Sequence, residues 1–128
     1  MKSDKVIVKK SNIEGKGVFA IRDFKKGEIV LHWDISNLLS KEKLKNMTNE
    51  DKKYISFSNG NAVIMQEPEK YLNHSCEANT AVQNFCDVAI KDIKKNEEIT
   101  GDYSKEMLPN TYLKCSCKSK RCKKIIRN

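Results

Sequence analysis

Twice the chain writes the same short phrase, FKKGEIV (residues 24–30) and IKKNEEIT (residues 93–100): two lysines, a corner, acids, then a β-branched run. Gly27 at the first corner permits positive φ, and the residues that follow suit a strand. Further short β-rich runs are KVIVKKS, the AVIM that follows the SNGN turn, TAVQNF and DVAIKDI. Only residues 36 to 55 read otherwise. There Leu38, Leu39, Lys43, Leu44 and Met47 do not alternate, and Thr48 with Asp51 resembles a capping box for a second short helix. Many short strands around one helical insert predict a mainly β domain.

A chain of 128 residues, 38% apolar and 33% charged, supports one small globular domain. No apolar run approaches the roughly 18 residues of a membrane span, and the start MKSDKVIVKK lacks an apolar secretory core. The expectation is a soluble intracellular protein without membrane partners, nuclear or cytoplasmic; monomer and homodimer both stay open. The net charge of +8 is uneven. Residues 104–128 carry eight bases and one acid, whereas acids outnumber bases by twelve to nine between 31 and 103. The basic tail suits non-specific contact with nucleic acid, or is simply a solvated lysine face, since Arg121 and Arg127 are its only arginines. The acidic middle, with Glu67, Glu69, Glu97, Glu98 and Asp102, suits a cationic peptide.

Five cysteines in a reducing compartment argue against a disulfide framework. Cys115, Cys117 and Cys122 lie within eight residues among cationic neighbours that favour thiolates. Structural zinc wants four ligands, so a fourth must come from elsewhere: Cys76 first, His74 second. Cys86, between apolar neighbours, reads as a small buried hydrophobe. The segment YLNHSC, Tyr71 to Cys76, packs a phenol, an amide, an imidazole and a thiol together. A His74-activated Cys76 nucleophile lacks any oxyanion-hole signal nearby, and the thiol has a better use in metal binding.

The order EGKGVFA, KKGEIVLHW, YLNHSCEAN, NEEITGDY, CSCKSKRC resembles the SET-domain protein lysine methyltransferases with a zinc-binding post-SET tail, in register from about Val6 to Ile126. The resemblance implies a SET fold of small β sheets with a C-terminal pseudoknot, a SET domain over 4–106 and a post-SET tail over 107–128. It implies that the backbone of Gly15, Lys16 and Gly17 lies against S-adenosylmethionine, that Asn73 and His74 hold the donor, and that Leu113 packs near its adenine. Tyr103 matches the catalytic tyrosine, with Trp33 beside the donor and Trp33, Tyr71 and Gly101 lining the lysine channel. Cys76 becomes the fourth ligand of one structural Zn2+, with Cys115, Cys117 and Cys122. The implied acceptor is a lysine of a histone or another basic protein.

The chain departs from that pattern in three places. Gly101 stands where an aromatic is usual, which leaves room in the channel and leaves the number of methyl groups open. His32-Trp33-Asp34-Ile35 replaces E-Y-x-G, keeping an aromatic but losing a hydroxyl and an acid. Lys118 and Asn96 stand where glycines are common, a change that threatens little. These departures motivate a second reading, a non-catalytic SET-like module. A third is a basic zinc domain for nucleic acid, disfavoured because few aromatics interleave with the basic residues.

Overall fold

The computed structural model describes residues 5–36, 38–48, 54–58, 61–105, 112–114 and 122–127. Their β-branched runs form short strands. β1 (Val6–Lys10) and β2 (Lys16–Ala20) make a hairpin, and β2 pairs antiparallel with β10 (Glu98–Gly101). β10 pairs in parallel with β7 (Asn73–His74), Gly101 opposite His74, and this completes a sheet ordered β1-β2-β10-β7. A second sheet orders β3 (Ile29–His32), β9 (Cys86–Ala89) and β8 (Thr80–Gln83). A third joins β4 (Leu38–Leu39), β6 (Asn61–Ile64) and β5 (Ile55–Ser58). In the tail, β11 (Tyr112–Lys114) pairs with β12 (Ile125–Arg127). The mainly β expectation holds. Among the described residues no helix is long and apolar enough to cross a membrane.

The repeated phrase folds into paired turns. Phe24 and Ile93 exchange backbone hydrogen bonds at 2.7 and 2.8 Å. Asp92 accepts the Lys26 N–H, and Asp23 accepts the Lys95 N–H. Gly27 (φ 94°) and Asn96 (φ 77°) occupy the same left-handed corner. Four carboxylates, those of Asp23, Glu28, Asp92 and Glu97, thus satisfy turn amides and lock two phrases back to back.

The described part of the insert is less helical than its period predicts. Leu38 and Leu39 extend to pair with Val63 and Ala62. Among its described residues only Lys41–Lys45 forms an α-helix, α1, capped by Ser40, whose hydroxyl accepts the Lys43 N–H at 3.2 Å. α1 buries no residue, so nothing beyond local propensity extends it, whereas the sheet supplies ladder bonds to the leucines. The capping box at Thr48 and Asp51 falls partly outside the described residues.

Apolar residues from β1, β2, β3, β9, β10 and the paired turns form the main core, with Val6, Val18 and Ile99 fully enclosed. A second cluster joins Trp33, Val63 and Met65, flanked by Val82 and Phe85. Cys86 is not the buried hydrophobe that its neighbours suggest. Half-exposed, it faces His32 across the β3–β9 ladder, its sulfur 3.3 Å from Nδ1.

Candidate functional site

Asn73 is the junction of the site. Its amide nitrogen lies 3.1 Å from the Glu14 carbonyl, 3.0 Å from the Lys16 carbonyl and 2.9 Å from Glu98 Oε2. Three acceptors fix which end of the amide is nitrogen and leave the oxygen as the part that can meet a ligand. Glu98 also accepts the Ser11 hydroxyl at 2.7 and 2.9 Å, and Ser11 accepts the Ile13 N–H. The β1–β2 loop is therefore tied to β7 and β10 through one carboxylate.

This network explains the glycines. Gly15 takes φ 43°, with open space where a side chain would start. Gly17 lacks a Cβ for a different reason: one added there would fall inside the Glu98 carboxylate, 2.9 Å from Cδ and 3.0 Å from Ser11 Cβ. Beside the loop a cavity of about 370 Å³ is lined by Val8, Lys9, Lys10, Gly15, Lys16, Glu67 and Tyr71. The Lys16 ammonium stands 5.4 Å from the Tyr71 ring centre, and the Tyr71 hydroxyl donates to Glu67 at 3.0 Å.

His74, 8% exposed, connects three segments. Its Nδ1 accepts the Tyr103 backbone N–H at 3.0 Å, so the proton of the neutral ring sits on Nε2, 3.4 Å from Cys76 Sγ. Burial pushes its pKa below the usual histidine range; Asp102 pulls the other way and Lys123 reinforces the shift. Asp102 Oδ1 lies 3.9 Å from Nδ1. No ion pair forms there, because that nitrogen presents a lone pair. Asp102 instead accepts the Ser104 N–H and hydroxyl at 3.0 and 2.6 Å, closing the 3-10 turn Tyr103–Lys105.

Tyr103 follows β10, its ring 5.4 Å from that of His74 and inclined by 53°. Its hydroxyl donates to the Leu72 carbonyl. Gly101 is buried and pairs with His74, and its carbonyl accepts the Ser75 N–H at 3.0 Å. Thr80, Asn79 and Thr100 lace the strand behind it: Asn79 Oδ1 accepts the Thr100 N–H at 2.9 Å, and the Thr80 hydroxyl donates to the Thr100 carbonyl at 2.8 Å.

The tail reaches the same place. The Lys123 N–H donates to Cys76 Sγ at 3.2 Å and the Lys124 N–H to Cys122 Sγ at 3.4 Å. Backbone donors are thus aimed at both sulfurs, and the His74 ring nitrogen faces Cys76 as well. Cys115 and Cys117 lie outside the described residues, and among those described no group of three metal-binding side chains occurs.

The structure thus gathers Gly15, Lys16, Gly17, Tyr71, Asn73, His74, Cys76, Gly101, Tyr103 and Cys122 around β7 and β10. Leu113 is placed on β11 opposite Ile126. Trp33 sits in the second core cluster, 5% exposed. Two acids expected to steer a cationic peptide are instead internal anchors: Glu98 as above, and Glu69, 4% exposed, whose Oε2 accepts the Asp34 N–H at 2.8 Å. The parts that composition alone misses are Ser11, Glu98, Asn79 and Thr80, polar residues whose partners are remote in sequence.

The SET domain matches this chain over residues 15–104. The chain belongs to the SET-domain family. It is 32% identical to the Variant-silencing SET domain-containing protein of Plasmodium falciparum (isolate 3D7), over 90% of this chain and 5% of that protein. It is 29% identical to the Histone-lysine N-methyltransferase trithorax of Drosophila virilis, over 96% of this chain and 4% of that protein. This SET domain therefore spans about one twentieth of those curated relatives. Its fold is similar to the methyltransferase domain of human Histone-lysine N-methyltransferase SETMAR, with a TM-score of 0.73, 21% identity, and coverage of 93% of this chain and 56% of that one.

Proposed function

We propose that this SET domain transfers a methyl group from S-adenosylmethionine to the ε-amine of a lysine in a histone or other basic protein. The observation that carries the reading is Tyr103, two residues past the end of β10 at Gly101, with its backbone held by His74 and its phenol by Leu72, next to Asn73, which anchors the glycine loop. The donor supplies an electrophilic methyl on a sulfonium. The residues would hold it as follows: the Asn73 amide oxygen accepts from its ammonium, and the backbone of Gly15–Gly17 lies alongside, where no side chain obstructs.

A lysine of ordinary pKa near 10.4 lacks its nucleophilic lone pair at pH 7 by about 4.6 kcal/mol. A channel beside Gly101 and Tyr103, with Tyr71 and Trp33 as its aromatic members, disfavours the ammonium by desolvation and so recovers much of that deficit. Tyr103 then orients rather than deprotonates. Its hydroxyl proton is committed to the Leu72 carbonyl, so the phenol oxygen offers lone pairs to the amine without first giving up its own proton. In-line aim supplies most of the acceleration, and the proton leaves to water.

Cys76, Cys115, Cys117 and Cys122 would hold one zinc ion that pins the tail, with Leu113, across the donor. The zinc supplies fixation and takes no part at the reacting carbon. The basic tail is further proposed to touch nucleic acid non-specifically.

Labelled donor and a mixture of lysine-rich proteins test the reading, wild type against Tyr103→Phe, with mass spectrometry to find the modified lysine. Transfer by the wild type alone is expected. Donor binding without transfer by either chain would instead establish the non-catalytic module that Gly101 motivates.

A further inference from the structure

Trp33, the chain's single tryptophan, leaves β3 gripped on several sides. Its backbone N–H donates to the Phe85 carbonyl at 2.9 Å and its indole N–H to Asp87 Oδ2 at 3.0 Å. The Phe85 ring meets the indole edge-on, centroids 6.4 Å apart. Phe85 does so from φ 60°, next to Asn84 at φ 49°, in the two-residue turn joining β8 and β9. Glycine is the usual second residue of such a turn, and a bulky side chain there costs about 1–2 kcal/mol. The strained backbone holds a ring against Trp33.

The next residue is held too, since the Asp34 N–H donates to Glu69. Glu69 opens the 3-10 turn Glu69–Tyr71, which leads into Leu72, Asn73 and His74. Two buried carboxyls, Asp87 at 1% exposure and Glu69 at 4%, thus fasten two consecutive residues from two different elements. Burial pushes both carboxyls up, Asp87 to about 7, with the Trp33 hydrogen bond opposing and the Glu69 charge adding. Apolar side chains would fill such positions at lower cost, and what the acids add is a fixed acceptor for each of two consecutive N–H groups. The indole N–H, taken out of water at 5% exposure, needs a buried acceptor, and Asp87 supplies it.

We propose that Asp87 and Glu69 are positioning residues that lock the Trp33–Asp34 segment to β9 and to the 3-10 turn leading into Asn73 and His74, so that the indole forms one rigid wall of the methyl-transfer site. This rests on the transferase reading above. Asp87 ties β9 to the indole. Glu69 takes the Asp34 N–H on its side chain and the Leu72 N–H on its backbone carbonyl, and the Leu72 carbonyl in turn receives the Tyr103 hydroxyl.

The test compares the full wild-type chain with Asp87→Leu and Asp87→Asn, separating kcat from KM for a lysine-rich acceptor and reading acrylamide quenching of the sole tryptophan. Asp87→Leu removes the acceptor: quenching should rise about twofold and kcat fall at least about tenfold, with KM within about threefold of wild type. Asp87→Asn keeps a carbonyl acceptor and should restore kcat to within about threefold. Wild-type quenching or wild-type kcat in Asp87→Leu overturns the proposal, as does an Asp87→Asn no better than Asp87→Leu. Should Asp87→Leu not fold, Trp33→Phe removes the same bond from the other side, and an unchanged kcat there is equally fatal. If the wild type transfers nothing, the transferase reading fails separately, and affinity for S-adenosylhomocysteine takes the place of kcat. Weakening of at least about fivefold by Asp87→Leu, rescued by Asp87→Asn, then supports the positioning role, and equal affinities overturn it.

Discussion

The Tyr103 backbone N–H donates to Nδ1 of His74 at 3.0 Å, while the Tyr103 hydroxyl reaches back to the carbonyl of Leu72, two residues before that histidine. One residue is thereby held at both ends by β7 and the residue just before it. The arrangement fixes the histidine tautomer as well, which turns Nε2–H toward Cys76. The short segment of residues 72–76, with β7 at its centre, thus sets the phenol, the imidazole and the first sulfur of the proposed metal site.

Tyr103→Phe removes the hydroxyl that bonds Leu72 and keeps the ring. Stability should change by about 1 kcal/mol or less, whereas methyl transfer should fall at least about a hundredfold with acceptor KM little altered. Chemical denaturation beside single-turnover assays separates the two effects. A variant that lost stability and activity in parallel would make Tyr103 a structural residue.

Gly15 and Gly17 should respond unequally to alanine. At Gly15 the cost is backbone strain of about 1 kcal/mol, with no neighbour displaced. At Gly17 the new methyl drives into Glu98 and Ser11, whose bonds to each other and to Asn73 must break. Gly17→Ala should lose about 1–3 kcal/mol and at least about tenfold in S-adenosylhomocysteine affinity, while Gly15→Ala keeps most of both. Isothermal titration on the two variants reads the contrast.

The repeated KKxE phrases and their β-branched runs were legible because each turn is closed by its own acid: Glu28 caps Lys25 and Glu97 caps Lys94 within three residues. Motif order also made the SET family legible. What composition could not reveal was direction. Glu98 and Glu69 read as surface acids until the fold aims one at Ser11 and Asn73 and the other at Asp34. Leu38 and Leu39 misled for the same reason, since an edge strand two residues long leaves no alternation to detect and its partners lie in β6. Long-range pairing decides such positions, and a local period does not carry it.

Asp87 gives the chain a pH dependence of definite sign. An acid with a folded pKa of about 7 keeps its proton after the unfolded chain has released its own near 4, so stability falls as pH rises between those values and is level above them. At roughly 1.4 kcal/mol per pKa unit the full loss is on the order of 4 kcal/mol. Urea midpoints measured at pH 5 and pH 8 should therefore drop for the wild type and drop less for Asp87→Asn. The difference between the two chains isolates Asp87 from Glu69, which is shifted the same way, and from His74, which is shifted the opposite way and gains stability with rising pH. Equal slopes in the two chains would show that Asp87 titrates normally.

Metal removal should act through the tail. Backbone donors of Lys123 and Lys124 already hold the sulfurs of Cys76 and Cys122, which ties the tail to the segment that follows β7. With zinc bound at Cys76, Cys115, Cys117 and Cys122, elemental analysis should find about one ion per chain. A chelator should weaken S-adenosylhomocysteine binding at least about tenfold, since β11 and β12 would lose their anchor to β7. Cys76→Ser should lose the ion. Cys86→Ser should keep it, because that sulfur faces His32 on the β3–β9 ladder. Zinc retained by Cys76→Ser would place the fourth ligand elsewhere and break the proposed link between tail and catalytic strand.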